Sequence, residues 1–300
     1  MDHFSDKLAQ AIAARRSVVC VGLDPDLARM PAELRDKYAV QAEALGDEAA
    51  VAACFAEFCC GIIAATAEVA ACVKPQAAFF EQYGAAGWQA LAEVVACAHQ
   101  HELLVILDAK RGDISTTGVA YARALFGGAP GFAGSVAGLD ADAVTASPYL
   151  GDDSLMPFTD FCAQGKGVFV LTRTSNPGAR SLQERECDGR ALYLHVADLV
   201  AELGAAHIGA HGYSDVGAVV GATAPDAISA VRAVLPRAFL LVPGYGAQGA
   251  GAQDLAGAAG GLIVNASRSI LYASQANGEE YRQAAARAAE EMRKRLEFLV

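Results

Sequence analysis

Positive charge is the first thing this sequence is short of. Twenty-three lysines and arginines stand against 34 acidic residues, a formal net charge of −11. A chain without a basic face has nothing to set against the phosphates of a nucleic acid. A small phosphorylated ligand is still possible, because a few local cations and backbone N–H groups suffice to hold one. The eight cysteines (Cys20, Cys54, Cys59, Cys60, Cys72, Cys97, Cys162 and Cys187) contain no C-x-x-C pair. Most lie in apolar runs, where a thiol behaves as a small hydrophobe, so they read as reduced core residues of a cytosolic protein. No histidine stands in a metal-ligand spacing; His207 and His211 are four apart but lack the acidic partner of an H-E-x-x-H helix. Residues 1–16 lack the apolar centre of a signal peptide. No run of eighteen apolar residues free of charge and turn breakers marks a membrane span. The expectation is a soluble, cytoplasmic protein without a bound metal.

What the sequence has in quantity is hydrophobic residues, 54% of 300, enough to bury a sizeable core. Residues 1–16 carry Phe4, Leu8 and Ile12 on one stripe and predict an amphipathic helix. After it come eight short apolar runs: Ser17–Leu23, Ala71–Pro75, Leu103–Leu107, Ala143–Ala146, Gly167–Leu171, Val216–Ala222, Phe239–Val242 and Gly261–Val264. Several are continuous rather than alternating, as in strands covered on both faces. Helix-compatible segments separate them: Val51–Val69, Trp88–His101, Thr116–Leu125, Arg190–Leu203, Pro225–Leu235 and Tyr281–Leu299. Eight strand–helix units favour a closed (β/α)8 TIM barrel over an open doubly wound sheet. No linker splits the chain, so residues 1–300 are read as one barrel domain, α/β in class. The stretch 29–50 is read as an irregular insertion after the first strand. The glycine-rich stretches 127–138 and 244–261 are read as βα loops or helix starts.

In such a barrel the chemistry lies at the C-terminal ends of the strands. The third run ends Leu-Asp108-Ala-Lys110-Arg-Gly-Asp113. Residues two apart on a strand share a face, so Asp108 and Lys110 point the same way, and Asp113 follows in the turn. That spacing predicts an ammonium held between two carboxylates, each favouring the charged form of the other. Elsewhere the same pattern would be a solvated salt bridge; directly after a buried strand it points to function. The first run ends in Asp24 and the second in Lys74, completing a ring of charge, although Asp-Pro and Lys-Pro also simply terminate strands. After the fifth run, Ser175 and Asn176 could hydrogen-bond a polar ligand or open an ordinary turn. After the seventh comes a glycine-rich loop containing Gln248, and after the eighth come Ser267 and Arg268. Glycines that admit close backbone approach, with a forked cation beside a helix start, suit a phosphate.

Taken together, Asp108-Ala-Lys110-Arg-Gly-Asp113, Gly22-Leu-Asp24-Pro, Val73-Lys74-Pro-Gln, Thr174-Ser175-Asn-Pro-Gly178, Pro243-Gly-Tyr-Gly-Ala-Gln248 and Ser267-Arg268-Ser269 resemble the orotidine 5'-monophosphate decarboxylase family, especially its longer bacterial form. The D-x-K-x-x-D signature is shared with sugar-phosphate decarboxylases and hexulose-phosphate aldolases; the Gly-Ala-Gln and Asn-Pro-Gly loops favour the nucleotide enzyme. The resemblance implies a cofactor-free lyase of pyrimidine biosynthesis that forms UMP and carbon dioxide. It implies that Lys110 protonates C6 of the pyrimidine, that Asp108 faces the substrate carboxylate, and that Asp24 and Lys74 hold the ribose hydroxyls. Ser175 would meet the pyrimidine edge, and Gln248, Ser267 and Arg268 the phosphate. Asp113 and Thr117 would reach into the partner subunit's site of a homodimer. Asp26 stands where the longer forms often have His, which leaves its role open. Two other readings remain: a magnesium-dependent keto-sugar-phosphate lyase on the same barrel, and a catalytically silent nucleotide-binding barrel.

Overall fold

The structure, a computed structural model, describes residues 2–246, 251–258, 260–276 and 278–300. Eight parallel strands close into a barrel in chain order: β1 (Val19–Leu23), β2 (Cys72–Pro75), β3 (Leu104–Arg111), β4 (Ala143–Ala146), β5 (Gly167–Arg173), β6 (Ser214–Val220), β7 (Ala238–Pro243) and β8 (Leu262–Ala266). The main helices are α1 (Phe4–Arg15), α2 (Ala32–Leu45), α3 (Asp47–Thr66), α4 (Gly84–Gln100), α5 (Ser115–Phe126), α6 (Leu192–Gly204), α7 (Pro225–Val234) and α8 (Tyr281–Arg295). Every strand expected from the sequence is present, Ala143–Ala146 with the same bounds and the others with shifted ends: β3 and β5 each run past the last apolar residue.

The strands sort their side chains by parity. Val105, Leu107 and Ala109 of β3 point outward into the layer between sheet and helices, whereas Ile106 points into the barrel. The interior holds Cys20, Cys72, Ile106, Ala143, Phe169, Val219, Phe239, Leu241 and Ile263. Continuing each inward row by two residues reaches Asp108 after Ile106, Lys74 after Cys72, Thr145 after Ala143 and Asn265 after Ile263. Layered packing thus ends at the C-terminal rim in polar side chains.

Helix α1 closes the opposite rim. Phe4 and Leu8 join the interior cluster, and Phe4 meets Phe169 edge-on, centroids 6.1 Å apart. Gly167, at the start of β5, is where this fits: a Cβ there would stand 2.2 Å from the Phe4 ring. Asp6 ties the helix to the turn before β6 by accepting N–H groups from Ala210 (2.9 Å) and His211 (2.8 Å).

Three readings of the sequence need correction. The stretch 29–50 is helical, not irregular: α2 is built of good helix formers between Pro31 and Gly46. Only its Leu34 is fully buried, so it carries no strong apolar stripe. The stretch 127–138 is an αβ connection between α5 and β4, carrying a small hairpin (Ala129–Gly131 with Gly134–Val136), rather than a βα loop. All eight cysteines are free, but Cys187 is exposed, while Cys60 and Cys97 are half-buried. Among the described residues, α3 is the one helix long and apolar enough to cross a membrane by length and composition. Its Phe55, Phe58, Ile62 and Ile63 are buried in the layer that covers the barrel.

Candidate active site

Asp108 is the centre of the polar rim and is buried. Four donors converge on its two oxygens. Lys74 Nζ (2.8 Å) and Gln76 Nε2 (2.9 Å) donate to Oδ2; Lys110 Nζ (2.5 Å) and Thr145 Oγ1 (2.8 Å) donate to Oδ1. Burial alone would raise the carboxyl's pKa. The ammonium charges of Lys74 and Lys110 reverse that and hold it well below the usual carboxylate range. Lys74 is buried as well, which would favour its neutral form, but Asp108 and Asp24 push it above the ordinary lysine range. The geometry is therefore a carboxylate clamped by two lysines.

That differs from the expected lysine between two aspartates. Asp113 accepts from the Ile114 N–H (2.8 Å) and makes no bond to Lys110 among the described contacts of this chain. The reason lies in the backbone. β3 carries a bulge against β4, with Leu107 opposite Val144 and Arg111 opposite Ala146. Lys110 sits within it at φ 49°, in the left-handed region that costs a non-glycine residue about 1–3 kcal/mol. The Thr145 hydroxyl steadies the bulge by accepting the Lys110 N–H (2.9 Å). Arg111 pairs with Glu81 and ties the strand end to the short helix Ala77–Glu81. Lys110 lines the cavity at the barrel mouth, and Asp113 follows half-buried in the turn beyond the bulge. Thr117 is exposed on the first turn of α5.

Two adjoining cavities of about 300 and about 400 Å³ open above the clamp, sharing Lys74, Asp108, Ser175 and Pro243. Asp24, Ser267 and Arg268 line the smaller; Lys110 lines the larger. The structure therefore gathers Asp24, Lys74, Asp108, Lys110, Ser175, Ser267 and Arg268 around one space, and leaves Asp113 and Thr117 outside its lining. Gln248 lies outside the described residues. Asp24 Oδ1 is buried without a hydrogen-bond partner among the described residues, an acceptor whose satisfaction would come from a ligand. Arg268 is exposed at the start of the short helix Arg268–Leu271. Gly22 allows the closure on this side, since a Cβ there would stand 2.0 Å from Ser267 Oγ and 2.9 Å from Asn265 Oδ1.

The sequence reading assigned no role to Gln76, Thr145, Asn265 or Tyr272. Gln76 is two residues past Lys74 and Thr145 is the one polar side chain of β4, so parity could have found both. Tyr272 had no local signal. Its hydroxyl donates to Asp24 O (3.0 Å) and accepts the Asp26 N–H (2.8 Å), fixing the turn that carries Asp24.

Residues 17–284 match the model of the orotidine 5'-phosphate decarboxylase / HUMPS family. An orotidine 5'-phosphate decarboxylase of Rhodopirellula baltica is 46% identical over 278 residues, covering 91% of this chain and 89% of that protein. One of Haloarcula marismortui is 41% identical, covering 98% of each. Among solved structures, Leishmania donovani OMP decarboxylase superposes with a TM-score of 0.73 at 36% identity, covering 99% of this chain and 100% of that one.

Proposed function

The chain belongs to the orotidine 5'-phosphate decarboxylase / HUMPS family, and from that premise we propose that it is the decarboxylase, converting orotidine 5'-monophosphate to UMP and carbon dioxide. The observation that carries this reading is the Asp108 carboxylate clamped between Lys74 and Lys110 at the floor of a cavity whose far wall holds Ser267 and Arg268.

Loss of carbon dioxide from C6 leaves an electron pair in an sp2 orbital that the ring delocalises poorly. A fixed cation near C6 lowers the energy of that charge, and the same ammonium can then deliver a proton to the carbon. Lys110 takes both roles, aimed by the β3 bulge and by Asp108. Asp108 faces the substrate carboxylate. Asp24 and Lys74 bind the ribose hydroxyls, which explains the unsatisfied Asp24 oxygen. Ser175 meets the base edge. Arg268, Ser267 and Gln248 bind the phosphate, whose remote binding energy helps position the reacting carbon. The enzyme works as a homodimer, with Asp113 and Thr117 of each chain reaching the partner's site. Exposed apolar side chains on the segments that follow β3 and β4 (Ile114, Tyr121 of α5, Tyr149, Leu150, and Met156 of the short helix Met156–Thr159) support that surface as an interface. The enzyme is soluble and cytoplasmic.

A magnesium-dependent lyase is the weaker reading. Both Asp108 oxygens are already engaged by four donors, two of them cations, so a divalent ion would have to displace a lysine. The test is turnover of orotidine 5'-monophosphate by the purified chain, followed by ultraviolet absorbance with EDTA throughout. Sustained turnover is expected. No turnover, together with magnesium-dependent cleavage of a keto-sugar phosphate, would move the protein to the other branch; tight UMP binding without turnover would mark a silent barrel.

A further inference from the structure

The reading above gives Ser175 the base edge, yet Ser175 stands in a Thr-Ser-Asn-Pro-Gly loop with little side chain of its own to hold it. We infer that Gln183 is the positioning residue that fixes Ser175 for the pyrimidine, an inference that rests on the role proposed for Ser175. The Gln183 carboxamide meets Thr174 at three contacts: Oε1 accepts the Thr174 N–H (2.8 Å) and lies 3.2 Å from Thr174 Oγ1, and Nε2 donates to Thr174 Oγ1 (2.9 Å). That hydroxyl in turn donates to Asn176 Oδ1 (2.7 Å). Gln183 thus holds one neighbour of Ser175 directly and the other, Asn176, through the Thr174 hydroxyl. The adjacent Glu184 repeats the tie one residue earlier by accepting from Arg173 Nη2 (2.6 Å) and Nε (3.1 Å).

The other side of Ser175 is closed by the end of β6. The Gly221 N–H donates to Arg173 O (2.7 Å), and Thr223 Oγ1 donates to Ser175 O (3.1 Å). A Cβ on Gly221 would stand 2.6 Å from Ser175 Cα, so the loop has no slack toward β6. A carboxamide suits position 183. The site needs an acceptor for an N–H and a donor for a hydroxyl on the same planar group. A carboxylate there would turn the Thr174 hydroxyl round and release Asn176. Gln183 also lines the larger cavity beside Lys110 and Thr145, so the latch lies alongside the reacting centre.

The test compares a ligand that has the base with one that lacks it. Inhibition constants for UMP and for ribose 5-phosphate are measured for the wild-type chain, Ser175→Ala, Gln183→Leu, Thr174→Val and the Ser175→Ala/Gln183→Leu double variant. Ser175→Ala is expected to weaken UMP about tenfold, one hydrogen bond's worth, without changing ribose 5-phosphate. Gln183→Leu is expected to do the same within roughly threefold, and to add little on top of Ser175→Ala, as coupled residues should. Thr174→Val, which removes the hydroxyl but leaves Gln183 in place, is expected to weaken UMP in the same direction and decides the matter if Gln183→Leu does not fold. Unchanged UMP affinity in Gln183→Leu or Thr174→Val while Ser175→Ala loses it, or equal loss of both ligands, overturns the inference. Unchanged UMP affinity in Ser175→Ala itself shows that the role given to Ser175 is what fails, and the inference falls with it.

Discussion

At the N-terminal rim of the barrel, buried Asp215 and half-buried Asp142 are both satisfied from within the chain. Asp215 accepts from Ser5 N–H and Ser5 Oγ (both 2.8 Å) and pairs with His3 (2.6 Å). Asp142 accepts the Val105 N–H (2.8 Å) and pairs with His99 (3.0 Å). Helix α1 then covers the opening. At the C-terminal rim Asp24 keeps a buried oxygen without a partner among the described residues, and two lysines crowd one aspartate. Nothing comparable to α1 covers that end among the described residues. Asp215 lies on the inward row of β6 with Val219, whereas Asp142 shares the outward parity of Val144 and meets α4; what separates the two rims is closure. A buried ion pair adds little net stability compared with apolar residues of the same shape. The polar groups of the closed rim find their partners within the chain, and those of the open rim make sense as a site that a charged ligand completes.

The comparison can be broken most severely at Asp108. Asp108→Ala strips the counter-charge from buried Lys74 and is expected to cost about 3–5 kcal/mol of stability. Turnover should also fall by roughly 10³-fold or more. Denaturant melts and steady-state assays read the two losses separately. At the closed rim Phe4→Ala should cost about 3–5 kcal/mol through the cavity it leaves, while kcat per folded molecule stays within about twofold of wild type, a factor too small to signal lost catalysis. A large fall in kcat there would erase the distinction between the rims. Arg268→Ala is expected to leave the fold intact and raise KM about 10- to 100-fold, in the range of one charge-assisted contact; unchanged kinetics would remove Arg268 from the phosphate site.

The smallest effect concerns pH. The hydrogen bond to Asp142 raises the pKa of His99 against the opposing pull of burial. A raised histidine contributes stability that is complete below its unfolded value near 6.5 and fades as pH rises through the folded value. His99 is one-third exposed, so after solvent screening the contribution is about 1 kcal/mol or less. His99→Gln should flatten the decline in melting temperature across that window. An unchanged decline would show that the pair does not set it.

How much of this was legible in the sequence follows from what each feature depends on. The eight strands were legible because strands covered on both faces leave continuous apolar runs. Asp24, Lys74 and Asp108 were legible because each stops such a run. Tyr272 was hidden because it reaches Asp24 from 248 positions away, a contact with no local pattern. Gln76 and Thr145 were within reach of the same parity argument, two residues past Lys74 and Ala143, but neither stops its run with a charge. Spacing alone was silent about the bulge at Lys110, and within one chain Asp113 turns to the Ile114 N–H instead of Lys110. Helix α2 was missed because propensity forms it while little of it is buried.

The central claim is that Lys110 performs the proton delivery which the clamp of Asp108 makes possible. The most direct measurement places Lys110→Ala beside the wild-type chain, with turnover of orotidine 5'-monophosphate and affinity for UMP read on the same preparation. The account predicts that turnover falls by about 10³-fold or more while UMP binding remains measurable. Near-normal turnover in that variant would contradict it.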